Sequence, residues 1–214
     1  TSWMTRETYA VAIFYPALLA DLVWPSPQLH LLLSLVALCF LFCQARILYA
    51  AKGVPAWRVD LIPTMLLLAG LTEGVALLGI GAGIWIDTFR GSMYFISIFG
   101  VILILCNAWL WQRYVKNASH FGLPPLARAE LRKITPTLRI VGHLLPLVFF
   151  VLAIVFNPFF FLVAGIASIV GGFIWKYSLI TRASYLQGFA LPKMPQRGSG
   201  DRAAPARVGG FQSS

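Results

Sequence analysis

Acidic residues are scarce in this chain: 7 Asp and Glu stand against 17 Lys and Arg in 214 residues, and charged residues of both signs reach only 11%. A water-soluble domain carries about 25% charged residues, so the side chains that would cover such a domain in water are missing. Strict apolar/polar alternation over about 10 residues, the mark of a membrane β-barrel strand, is absent too. Cysteine is limited to Cys39, Cys43 and Cys106, with no C-x-x-C or clustered spacing. That spacing argues against a metal cluster or a disulfide framework and leaves the three as small buried hydrophobes. Of the histidines, His30 falls near a membrane surface, His120 in a loop, and only His143 clearly within a span. Two haem-ligating histidines need matched depth, so neither haem nor metal is expected in this chain. No internal repeat is visible, nor a secretory signal pattern. The opening at Thr1, already beside a helix cap, implies that residues upstream are missing.

What the chain has in abundance is apolar length. Hydrophobic residues make up 59% and the mean hydropathy is +0.79. A membrane-spanning helix needs about 20 mostly apolar residues, and six such runs occur, at about 9–23, 29–48, 61–86, 93–115 and 137–156, with a sixth ending near Ile180. Thr5 is the expected N-cap of the first, with Glu7 favoured by the positive end of the helix dipole. Asn157-Pro158 turns the chain between the last two runs. Pro16, Pro63 and Pro146 fall in or near the starts of spans, where neighbouring helices can satisfy the freed carbonyls. The expected fold is an all-α polytopic bundle of about six spans over residues 1–190. A Pro/Gly/Ser-rich tail over 191–214 is expected to be mobile or to lie on a partner.

Positive charge sets the orientation. With the N-terminus, the loops at 49–60 and 112–139 and the tail on one side, that side collects every Lys and Arg except Arg90. By the positive-inside rule it is cytoplasmic, which puts both termini there. The excess of 10 positive charges thus reads as a topology signal; no basic soluble domain exists to bind nucleic acid. Trp24 and Trp85 mark the outer interface, and Trp57, Trp109 and Trp111 the inner one.

Polar groups inside lipid are costly and face the bundle or a cavity. Glu73 lies near the midplane of the third span. Gly70 and Gly74 form a small-residue face beside it, and Gly79 and Gly83 repeat that face further on. Glu73 therefore points into protein, either as a hydrogen-bonded structural carboxyl or as a proton relay. His143, Lys176 and Asn107 add polar groups at the midplane or in the cytoplasmic half, whereas the outer half is nearly free of them. Lys176 alone would read as a snorkelling lysine. The asymmetry points to a pocket for an amphipathic molecule with a polar head and an apolar tail, such as a quinone.

Three stretches carry a family resemblance. Ser2-Trp3-Met4-Thr5-Arg6-Glu7 resembles the Ser-Trp-x-[Ser/Thr]-Arg-Glu entry to the third helix of dimethyl-sulfoxide-reductase-type membrane anchors, in the wider polysulfide-reductase, NrfD-like group. Residues 43–58, with Ala45-Arg46 through Tyr49 and Pro55-Ala56-Trp57, are similar to that family's Ala-Arg-x-Tyr and Pro-Ala-Trp loop. Residues 175–192 resemble its closing Lys-Tyr-x-Leu-x-Thr-Arg-Ala-x-Tyr-x-Gln-Gly-Phe-Ala-Leu-Pro. The wording of loop and tail is closest to the anchor of a sulfite:quinone oxidoreductase.

The resemblance implies a subunit of the bacterial cytoplasmic membrane without a redox cofactor of its own. It would hold a molybdopterin catalytic subunit and a four-cluster iron–sulfur subunit and exchange electrons with ubiquinone or menaquinone. Family members have eight spans, so this chain would lack the first two. The expected quinone-binding residues are Glu7, His143, Lys176 and Arg46, with Glu73 as a deeper proton relay. Arg46, Arg58 and Arg182 are expected to dock the iron–sulfur subunit. A proton-coupled secondary transporter and a purely structural anchor are the competing classes.

Overall fold

The computed structural model describes residues 2–51 and 53–185. The 191–214 tail, residues 186–192 of the closing motif and Lys52 lie outside them. All regular structure among the described residues is helical. Six long helices follow one another: α1 (Trp3–Val23), α2 (Pro27–Ala50), α3 (Leu61–Ile84), α4 (Met93–Lys116), α5 (Pro125–Val155) and α6 (Phe160–Arg182). A short helix, Ile86–Phe89, links α3 to α4. The segments containing α2 to α6 are long and apolar enough to cross a membrane. The 21-residue α1 has the length, but it carries Arg6, Glu7 and Asp21. The chain is a multi-pass α-helical membrane bundle.

Capping chemistry corrects the expected start of α1. The helix begins at Trp3 because the Ser2 hydroxyl accepts the Thr5 backbone N–H at 3.2 Å; Thr5 is the residue capped, not the cap. Glu7 accordingly sits past the first turn, where the helix dipole has largely faded. Ser26 caps α2 in the same way, receiving the Leu29 N–H at 3.2 Å ahead of a helix that starts on Pro27.

The charge-rich stretch expected to be a loop before the fifth span is helical from Pro125 to Thr137 and forms the first part of α5. Ala127, Leu131, Ile134 and Leu138 recur at helical spacing and are buried, while Arg132 and Lys133 face outward. That is an amphipathic helix anchored by one stripe. It passes through a π-helical segment, Leu138–Leu144, into Leu145–Val155, and α6 likewise ends in a π-segment, Ser178–Arg182.

Two apolar clusters fill the bundle. The first, at the end carrying the 51–60 loop, joins Ile62, Met65, Trp111, Tyr114, Leu131 and Trp175. The loop is pinned to it: the Trp57 indole N–H donates to the Leu179 carbonyl at 3.0 Å, and the Tyr114 hydroxyl donates to the Ala56 carbonyl at 2.9 Å. Trp111 is 1% exposed and donates to Thr135 Oγ1 at 3.3 Å, so it is a core residue and not an interfacial one. The second cluster, toward the Ile86–Phe89 end, joins Val75, Ile96, Leu103, Phe150, Phe161 and Ala164. Of the small residues on α3, Gly79 and Gly83 admit the start of α6: a Cβ on Gly83 would lie 2.9 Å from the Leu162 backbone nitrogen. Gly70 instead meets the Leu41 side chain of α2, and Gly74 faces open space. Among the cysteines only Cys43 is buried; Cys39 is exposed and Cys106 half-buried, which corrects the expectation for those two.

Candidate functional site: a polar seam and an open pair

A polar layer separates the two apolar clusters, and four helices contribute to it. On α3, Thr72 and Glu73 fall between Ala69 of the first cluster and Val75 of the second. On α4, Asn107 falls between Leu110 and Ile104; on α5, Gly142 and His143 fall between Leu138 and Phe150. On α6, Ser168, Gly171 and Gly172 lie between Trp175 and Ala164.

The charges of this seam are matched. Lys176 Nζ lies 2.5 Å from Glu73 Oε1, and their side chains are 30% and 27% exposed. Gly172 makes room for that carboxylate, since a Cβ there would collide with Glu73 Oε1. Beside it, a Cβ on Gly171 would collide with the Gly142 Cα, so α5 and α6 cross at backbone contact, a packing that only small residues permit. Asn107 Nδ2 is within hydrogen-bond reach of Thr72 Oγ1 at 2.7 Å, the Leu103 carbonyl at 2.9 Å and the Leu68 carbonyl at 3.3 Å. Ser168 Oγ donates to the Ala164 carbonyl at 2.8 Å and keeps its lone pairs free to accept.

His143 joins the seam from the π-helical segment of α5. A π-turn adds a residue to the helical repeat and is frequent at functional sites; here it presents His143 beside the Gly142–Gly171 crossing. The ring's Nδ1 is buried without a well-formed hydrogen bond, although it lies close enough to the Leu138 carbonyl to feel it. Glu73, Asn107, His143 and Ser168 line one cavity with Trp111 and Trp175. The space open to water centres there is about 30 Å³. That accommodates one or two waters and falls far short of a drug-sized pocket.

A second polar set lies elsewhere, on α1 and α2. Gln44 Nε2 donates to Glu7 Oε1. Nearby, the guanidinium of Arg6 stands 4.4 Å from the Trp3 ring centroid, and that of Arg46 stands 5.1 Å from both Trp3 and Tyr49. At the far end of the same pair, His30 Nε2 lies 3.1 Å from Asp21 Oδ2. The two helices are therefore antiparallel and fastened near both ends. α1 makes its substantial contacts with α2 alone.

The expected quinone-binding residues thus separate into two places. His143 and Lys176 come together in the seam with Glu73, the expected proton relay, whereas Glu7 and Arg46 belong to the α1–α2 pair. Of the expected docking residues, Arg58 and Arg182 are exposed and Arg46 is half-buried; Arg182 stands 5.9 Å from the Tyr177 ring. Sequence reasoning passed over Gln44, Thr72 and Ser168. Gln44 was the most visible of these, as an amide within an otherwise apolar run, and the Gly171-Gly172 doublet was the mark of the helix crossing.

In comparisons with known proteins, the chain matches no family model and has no significant match among curated proteins or solved structures.

Proposed function

We propose that the chain is the quinone-reactive membrane anchor of a molybdopterin/iron–sulfur oxidoreductase, passing electrons between an iron–sulfur subunit and the membrane quinone pool, with sulfite as the favoured substrate of the catalytic subunit. The observation that carries this reading is the Glu7–Gln44 pair, a carboxyl and an amide hydrogen-bonded across two helices on a pair that α3 to α6 do not enclose. A quinone head needs hydrogen-bond partners for its carbonyl oxygens and a group that exchanges protons, because two protons accompany two electrons. Glu7 and Gln44 supply both. The Arg6 and Arg46 guanidiniums beside Trp3 add positive charge next to the pair, and Phe14 and Leu18, half-buried and at helical spacing from Glu7, lie along α1 where an apolar tail would run into lipid.

The motif resemblance supports the same reading, since Glu7 and Arg46 fall within two of its stretches. The seam then serves as the proton relay expected of Glu73, with Lys176 and His143 beside it, and is too small to take the quinone ring itself. The positive-inside count puts the Glu7 end on the cytoplasmic side, so Arg46, Arg58 and Arg182 would meet acidic or backbone acceptors of an iron–sulfur subunit there.

One observation favours a second reading as a proton-coupled transporter: an ionisable seam with apolar clusters above and below it resembles an ion site within a span. Purification from native membranes in mild detergent separates the two. The anchor reading expects molybdenum and iron–sulfur subunits to co-purify. It also expects Glu7→Gln to lower quinone-linked turnover by at least about tenfold, while turnover with an artificial electron carrier at the soluble subunits stays intact. Absence of redox subunits, or a parallel fall of both activities, would overturn it.

A further inference from the structure

We infer that the seam is a hydrated proton-transfer site, in which one or two waters bridge His143, the Glu73 carboxylate and the Ser168 hydroxyl. The inference rests on the relay role given to Glu73 above and adds the ligand and the partner residues. Four features carry it. The cavity has the size of one or two waters and no more. Its lining offers the two to four polar partners that an internal water requires: the Glu73 carboxylate, the Asn107 amide, the Ser168 hydroxyl and the imidazole.

The third feature is His143 Nδ1, buried at the seam without a well-formed protein hydrogen bond, an arrangement that native interiors avoid unless water completes it. The fourth is the origin of the space. It lies where α5 and α6 cross on glycines, and a Cβ on Gly172 would strike Glu73. Apolar clusters lie on both sides of it along the bundle, so the polar partners for such a water are confined to this layer.

Proton movement through this string is balanced. Each transfer breaks one O–H or N–H bond and forms another between water, imidazole and carboxylate. No electron moves, and water is the only co-reactant.

The test uses the purified chain in lipid bilayers with ¹⁵N-labelled histidine and reads magnetisation transferred from water by solid-state NMR. His143→Gln assigns the signal by removing it. The expected result is transfer to the His143 ring about as fast as to the exposed ring of His30. Gly172→Ala and Ser168→Val should reduce it severalfold, with the His30 signal and the helical content unchanged. Absent transfer in the unaltered chain, or undiminished transfer in both variants, would overturn the inference. Neither quinone nor a redox partner is present in this measurement, so its outcome is independent of whether the chain is a quinone-reactive anchor.

Discussion

The α1–α2 pair and the α3–α6 bundle solve the problem of polar groups in lipid in opposite ways. In α1 and α2 the buried residues are few and mostly small, Ala10, Ala17, Cys43 and Ala45, and large apolar side chains such as Leu19, Leu31 and Phe42 face outward. Their polar contacts are at the edge, where solvent or a lipid-borne molecule can reach them. In α3 to α6 large rings fill both clusters, Glu73 and His143 lie between them, and Glu73 is matched by Lys176. The difference assigns the two halves different chemistry. A carboxyl–amide pair on a two-helix edge suits exchange with a ligand that diffuses in the membrane, while a half-buried ion pair among four packed helices suits the passage of protons.

The largest effect expected from breaking that contrast is electrostatic. Lys176→Met leaves the Glu73 carboxylate unmatched inside the bundle and should destabilise the chain by about 3 kcal/mol. Adding Glu73→Gln should recover most of that loss, because the cost lies in the orphaned charge. Gln44→Leu, which breaks the open pair instead, should cost about 1 kcal/mol or less. Detergent-driven unfolding in bicelles reads all of these, and equal losses for Lys176→Met and Gln44→Leu would erase the distinction between the halves.

Backbone crossing comes next. Gly171→Val must push α5 and α6 apart at Gly142 and should cost about 1–3 kcal/mol. A smaller loss, about 1 kcal/mol, is expected for Trp57→Phe, which removes the indole bond to the Leu179 carbonyl and should show as faster proteolysis of the 51–60 loop. The smallest effect belongs to Gly74→Ala. Open space surrounds that position, and the change should be neutral or stabilising by about 0.5 kcal/mol, a sharp contrast with Gly171 in the same unfolding assay.

Much of the fold was legible because lipid imposes a simple rule: apolar length gave the spans, and the Asn157-Pro158 turn fell where expected, with the Asn157 side chain accepting the Phe159 N–H at 2.8 Å. The rule fails where a helix is only half in the apolar phase. Residues 125–137 carry enough charge to look like a loop, yet their Ala127–Leu131–Ile134–Leu138 stripe was visible in the spacing. Trp111 was misplaced because tryptophan at the end of a span usually marks the interface; only the partner Thr135 on α5 reveals it as core. The π-segments leave no trace in hydropathy, since they change the repeat of the backbone and not the composition.

For the site, each polar residue within a span announced itself by its cost in lipid, so Glu73, Asn107, His143 and Lys176 could be named one by one. Their grouping could not. Pairing of Glu73 with Lys176, and separation of both from Glu7, depend on which helices pack together, and α1 turning only to α2 is a tertiary fact that no local pattern encodes.

The most direct test of the account is photolabelling of the complex in its native membrane with an azidoquinone, followed by peptide mapping. The account predicts label on α1 and α2 around Trp3, Glu7 and Gln44, suppressed by excess unlabelled quinone and lost in Glu7→Gln. Label concentrated instead on the α3–α6 seam at Glu73 and His143, or spread along lipid-facing helices without competition, would contradict it.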